Sequence, residues 1–140
     1  MALDAGTIMI VPTLIMALAI GIGNVIAMIF DMSGSASSTL THGAGAFIGV
    51  AILTFISMNW TYFLGLINVQ SGFLANEIIV RVIILLVAAI YVHVHSGVFK
   101  GARGAGMHET WIHSLILGVL IAGAPYLWML IGPMLPAWAQ

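Results

Sequence analysis

The sequence has no cysteine and very little charge, with three basic and four acidic residues among 140. Without cysteine there is no disulfide, no thiolate metal site, no cysteine-ligated iron–sulfur cluster and no thioether-attached haem. A soluble domain carries charge on about one residue in four, so seven charges cannot cover a soluble globule of this size. The same shortage excludes a nucleic-acid binder that grips phosphates through Lys and Arg. Disorder is excluded from the other direction, because 62% of the residues are apolar and disordered chains are poor in such residues. The class that remains is an integral membrane protein.

A spanning helix needs about 20 mostly apolar residues, and four stretches meet that length: about 8–30, 44–67, 75–95 and 110–131. Polar breaks separate them. A Ser/Gly/Thr run from Ser33 to Thr41 follows Asp31, a turn occupies Asn68 to Gly72, and a glycine-rich segment from Ser96 to Met107 holds Lys100 and Arg103. No stretch shows sustained period-two alternation, which argues against a membrane barrel. Asp4 stands where a secretory signal would be basic, so the first stretch is expected to remain as a span. The expected fold is an all-α, four-helix membrane bundle forming one domain over 1–140. Both termini fall on one side, and Pro125, inside the fourth span, frees the Ile121 carbonyl and kinks the helix. Lys100 and Arg103 mark the loop side as cytoplasmic by the positive-inside rule, against Arg81 alone on the other side, which turns the termini outward.

Lipid gives helices little reason to bury aliphatic surface against each other, so packing falls to small residues and interhelical hydrogen bonds. Small residues four apart occur at Ala19, Gly23 and Ala27, at Gly45 and Gly49, and at Gly118 and Ala122. Asn24 and Asn59 are amides inside apolar stretches and are expected to face inward. Trp60, Tyr62, Tyr126, Trp128 and Trp138 toward the termini, with Tyr91 and Trp111 toward the loops, read as interfacial anchors. Glu77 and Arg81 lie four apart in the order that favours pairing on one helix face. The pair reads either as an interfacial anchor with Arg81 reaching outward, or as a contact to a partner subunit or a conducted ion.

All five histidines fall on the loop side of this topology. His42 opens the second span, His93 and His95 end the third, and His108 and His113 flank the start of the fourth. Asp31 and Glu109 join them. Helix ends collect polar residues, and interfacial histidines can simply cap carbonyls. A second reading is a metal site, since imidazole and carboxylate from several helices suit copper, zinc or iron. A third is proton relay. His93 and His95 point ~200° apart on a helix, so only one of them can face the bundle. Glu109 and His113 share a face, whereas His108 lies on another and should be the more exposed. The stretch from His108 to His113 has one residue too many for the zinc-protease spacing. The candidate ligands are therefore Asp31, His42, His93 or His95, Glu109 and His113. A haem held by His42 and His93 fits less well, because both sit at the edge of the span. The nine methionines are mostly spread through apolar spans as packing residues, as at Met28, Met58 and Met129.

Loops of this length leave no soluble domain to hold a substrate, and no reaction is indicated. The expected role is an accessory or scaffold subunit of a larger membrane assembly, non-catalytic by itself. Its partners are the lipid bilayer and other membrane subunits or further copies of the chain. The alternatives are transition-metal binding or transport through the loop-side cluster, and proton or ion conduction by a homo-oligomer. Only Asn24, Asn59 and Ser57 offer the polar stripe that such a pore needs at its subunit interface.

Overall fold

A computed structural model describes residues 7–31, 36–69, 71–98 and 111–140, with side chains described at 7–27, 47–69, 71–94 and 111–140. Its elements are helical throughout: α1 (Ile10–Asp31), α2 (Ala36–Met58), α3 (Trp60–Leu66), α4 (Glu77–Val98) and α5 (Trp111–Ile131), with short 3-10 turns at Phe73–Ala75, Gly132–Met134 and Ala137–Ala139. Three of the helices are long and apolar enough to cross a membrane, and a fourth crossing results if bent α2 and α3 count as one span.

The helix starts follow from local chemistry. Pro12 sits in the first turn of α1, where its missing N–H costs no intrahelical bond. Asn76 caps α4 by accepting the Ile79 N–H at 3.2 Å, and Glu77 places an acid in that first turn. α3 ends with Asn68 in the left-handed region, φ 52°. The Asn68 N–H bonds the Gly65 carbonyl and the Val69 N–H bonds the Leu64 carbonyl, the paired closure that asparagine permits after a helix.

Helix directions can be read from side-chain pairs. Gly21 meets Phe47 and Thr13 meets Asn59, so α1 and α2 run oppositely. Gly49 lies under the Tyr91 ring and Ser57 meets Arg81, which sets α4 against α2. Gly118 faces Leu85 and Ala89 and Tyr126 meets Glu77, which sets α5 against α4. The core between them holds Met16, Ile20, Val50, Met58, Val80, Ile84, Ala88, Val92, Leu117 and Ile121. The outward residues of α1, Leu14, Leu18, Ile22 and Ile26, form an exposed aliphatic stripe, the surface that lipid accepts.

Three expectations are corrected. The second apolar stretch is not one straight span: it breaks at Asn59, and α3 leaves α2 at 67°. No proline or glycine marks the place, because the cause is tertiary and lies in what holds Asn59 and Ser57, described below. The small-residue seam of α1 is Ala17 and Gly21, which are buried. Ala19 and Gly23 are exposed, with open space around Gly23. Trp128 is a core residue at 7% exposure, packed on Gly132, and not an interfacial anchor.

Candidate functional site

Among the described residues, two polar clusters cross the helix interfaces. The first surrounds the α2–α3 break. The Asn59 side chain is 1% exposed and makes three bonds: its amide nitrogen donates to Thr13 Oγ1 at 3.0 Å and to the Phe55 carbonyl at 3.0 Å, and its oxygen accepts the Met9 N–H at 2.6 Å. The Thr13 hydroxyl in turn donates to the Met9 carbonyl. Asn59 thus ties the end of α2 to the first turn of α1, where the backbone N–H groups have no helical acceptor.

Beside it, Arg81 points into the helices. Its side chain is 13% exposed, against 59% for Glu77, whose Oε1 lies 3.5 Å from Arg81 Nη2. Arg81 Nη1 donates to the Ser57 carbonyl at 2.8 Å and to the Ser57 hydroxyl oxygen at 3.1 Å. In an unbroken helix that carbonyl would receive the Thr61 N–H. At the break it is one of the last carbonyls of α2, where a cation also meets the negative end of the helix dipole. The Ser57 hydroxyl passes the connection on by donating to the Ala122 carbonyl of α5 at 3.4 Å. Tyr126 closes the cluster: its hydroxyl donates to Glu77 Oε1 at 2.7 Å, and its ring centroid lies 5.5 Å from the guanidinium carbon. The expected Glu77–Arg81 pairing is present. Arg81 does not reach outward, however, because the carbonyl at the break is a better partner than the interface.

The second cluster joins α1 to α5. His113 Nε2 lies 2.8 Å from Asn24 Oδ1, an arrangement in which the imidazole N–H donates to the amide oxygen. Asn24 is 1% exposed and His113 half-buried, so both point inward as expected. Nearby in chain terms, His93 stacks on Trp111 with ring centroids 3.8 Å apart and planes 18° from parallel.

Of the proposed metal ligands, His93 and His113 have described side chains. Asp31, His42 and His95 lie on described helix backbone, but their side chains fall outside the described residues, as do Glu109 and His108 altogether. Among the described residues no three His, Asp or Glu side chains come together as a metal-holding group. The three residues that a homo-oligomeric pore would draw upon, Asn24, Asn59 and Ser57, are all buried within the chain and bonded to His113, Thr13 and Ala122. They supply no stripe on the outer surface.

Thr13, Ser57 and Tyr126 were not legible as partners of Asn59, Arg81 and Glu77. Matching polar residues by depth across neighbouring spans is the signal that comes closest to finding them. The chain matches no family model, no curated protein and no solved structure.

Proposed function

We propose that the chain is a four-span membrane bundle with both termini on one side and α5 kinked at Pro125, serving as an accessory or scaffold subunit of a larger membrane assembly. The observation that carries this reading is where the polar groups go. Asn59, Thr13, Ser57 and Arg81 tie α1, α2, α4 and α5 together at one level, and Asn24 with His113 ties α1 to α5 at another. Such bonds fix helix positions inside lipid, each contributing about 0.6–2 kcal/mol. The faces turned away from them are aliphatic, suited to lipid and to the helices of other subunits.

The topology is tested by cysteine-accessibility labelling of Ser35→Cys and Gly104→Cys variants: both react from the same side of sealed vesicles. Reaction from opposite sides overturns the four-span reading. The role is tested by purification from native membranes in mild detergent, where the chain is expected in a larger complex. A stable monodisperse monomer recovered alone counts against a scaffold.

The metal reading has His113 as an inward-facing candidate, bonded through Nε2 to the Asn24 amide oxygen, while the side chains of Asp31, His42, His95 and Glu109 lie outside the described residues. Stoichiometric copper, zinc or iron in the purified protein, lost in His113→Ala, would move the site ahead of the scaffold reading.

A further inference from the structure

We propose that the α2–α5 interface holds an internal water molecule at Thr54, hydrogen-bonded to the Ile121 carbonyl that Pro125 leaves without its helical donor. The Thr54 side chain is fully buried at 0% exposure, and its hydroxyl has no hydrogen-bond partner among the described residues. A threonine within a helix ordinarily turns its hydroxyl to a carbonyl three or four residues back, and this one does not. The second orphan follows from covalent structure. Pro125 stands inside α5 and has no N–H for the carbonyl of residue 121. Ile121 is 0% exposed, so that carbonyl lies in the core.

Helix geometry places the two groups at neighbouring levels of the α2–α5 contact. Ser57, three residues after Thr54 and on the same face of α2, donates to the Ala122 carbonyl at 3.4 Å. Because α2 and α5 both oppose α4, they run in the same direction. Thr54 therefore lies ~4.5 Å back along α2 from that contact, and the Ile121 carbonyl ~1.5 Å back along α5. An axial offset of ~3 Å suits one bridging water, and no direct bond reaches the Thr54 hydroxyl among the described residues. A buried water needs two to four polar partners. Here they are the Thr54 hydroxyl, the Ile121 carbonyl and the Ser57 hydroxyl oxygen. Proline in a spanning helix is tolerated where hydroxyl side chains and ordered water satisfy the freed backbone, and Thr54 with Ser57 beside Pro125 places both devices at one turn.

The test is a double-mutant cycle on the full chain in lipid nanodiscs, reading the apparent melting temperature of Thr54→Val, Pro125→Ala and the combination. A dry, unpaired hydroxyl makes Thr54→Val stabilising, because valine keeps the shape and removes the orphan. A water bridge makes it destabilising, with an expected fall of about 3 °C or more for a domain of this size. With Pro125→Ala the Ile121 carbonyl regains a backbone donor, and the effect of Thr54→Val is expected to shrink to less than half. A rise in melting temperature on Thr54→Val, or an equal fall in both backgrounds, overturns the proposal. Water-edited solid-state NMR of the unaltered protein in deuterated lipid gives a second readout if Pro125→Ala does not insert. Magnetisation transfer from water to the Thr54 side chain is expected, and its absence overturns the proposal independently.

Discussion

Replacing Arg81 with alanine is expected to cost about 2–3 kcal/mol of stability, the range for losing hydrogen bonds from a charged donor while leaving a buried carbonyl unsatisfied. Its guanidinium serves the Ser57 carbonyl and hydroxyl together, and among the described residues no other side-chain donor bonds that carbonyl. Arg81→Lys keeps the charge but offers a single ammonium in place of a planar fork, so an intermediate loss is expected. Glu77→Gln is the control. That carboxylate is 59% exposed, and exposed ion pairs contribute only about 0–1 kcal/mol. Chemical unfolding in mixed micelles, followed by tryptophan fluorescence, compares the three. Equal losses for Arg81→Ala and Glu77→Gln would show that the ion pair matters and the helix-end contact does not. The same series bears on partner docking: Glu77 is the exposed half of the pair, so loss of a native complex in Glu77→Gln with inserted protein unchanged is the signature of a docking contact.

The second large effect is expected at Gly118. A Cβ there would stand 2.6 Å from the Leu85 carbonyl oxygen and 3.3 Å from the Ala89 Cβ. The first of these is backbone and cannot rotate away, so Gly118→Ala must push α4 and α5 apart. Overpacking of this kind costs about 1–3 kcal/mol. Gly123, five residues further along α5, has nothing within 4 Å of its would-be Cβ. There the same substitution gains helix propensity, up to about 1 kcal/mol. Opposite signs at two glycines of one helix are the expected result, read from melting temperatures in the same detergent. Loss at both positions would mean that the outer face of α5 is also packed, against a neighbour outside the chain.

Reading by hydropathy placed the helices well, because a stretch of about 20 apolar residues has few alternatives in a chain this short of charge. α1, α4 and α5 begin and end within a few residues of the expected limits. The inward direction of Asn24, Asn59 and His113 followed from the same physics: an amide or imidazole in a span must find a partner. The spacing of Glu77 and Arg81 foretold their contact. Which small-residue seam is used was not legible. Ala19–Gly23 and Ala17–Gly21 have the same spacing, and only the angle at which α2 meets α1 chooses between them.

The break at Asn59 shows where local information ends. As a continuous span to 67, the second stretch would hold Ser57 about 15 Å from its end, while Arg81 lies about 9 Å from the start of the third. In that straight helix the Ser57 carbonyl would be taken by the Thr61 N–H and not by Arg81. The 67° turn at Asn59 frees that carbonyl for Arg81, and the Asn59 side chain anchors the break to α1. The class of protein and the approximate limits of its helices are one-dimensional properties, set by the free energy of moving each segment from water into lipid. The bend, the inward turn of Arg81 and the pairing of His113 with Asn24 depend on donors and acceptors at least 24 residues apart. Their partners exist only once the helices have packed.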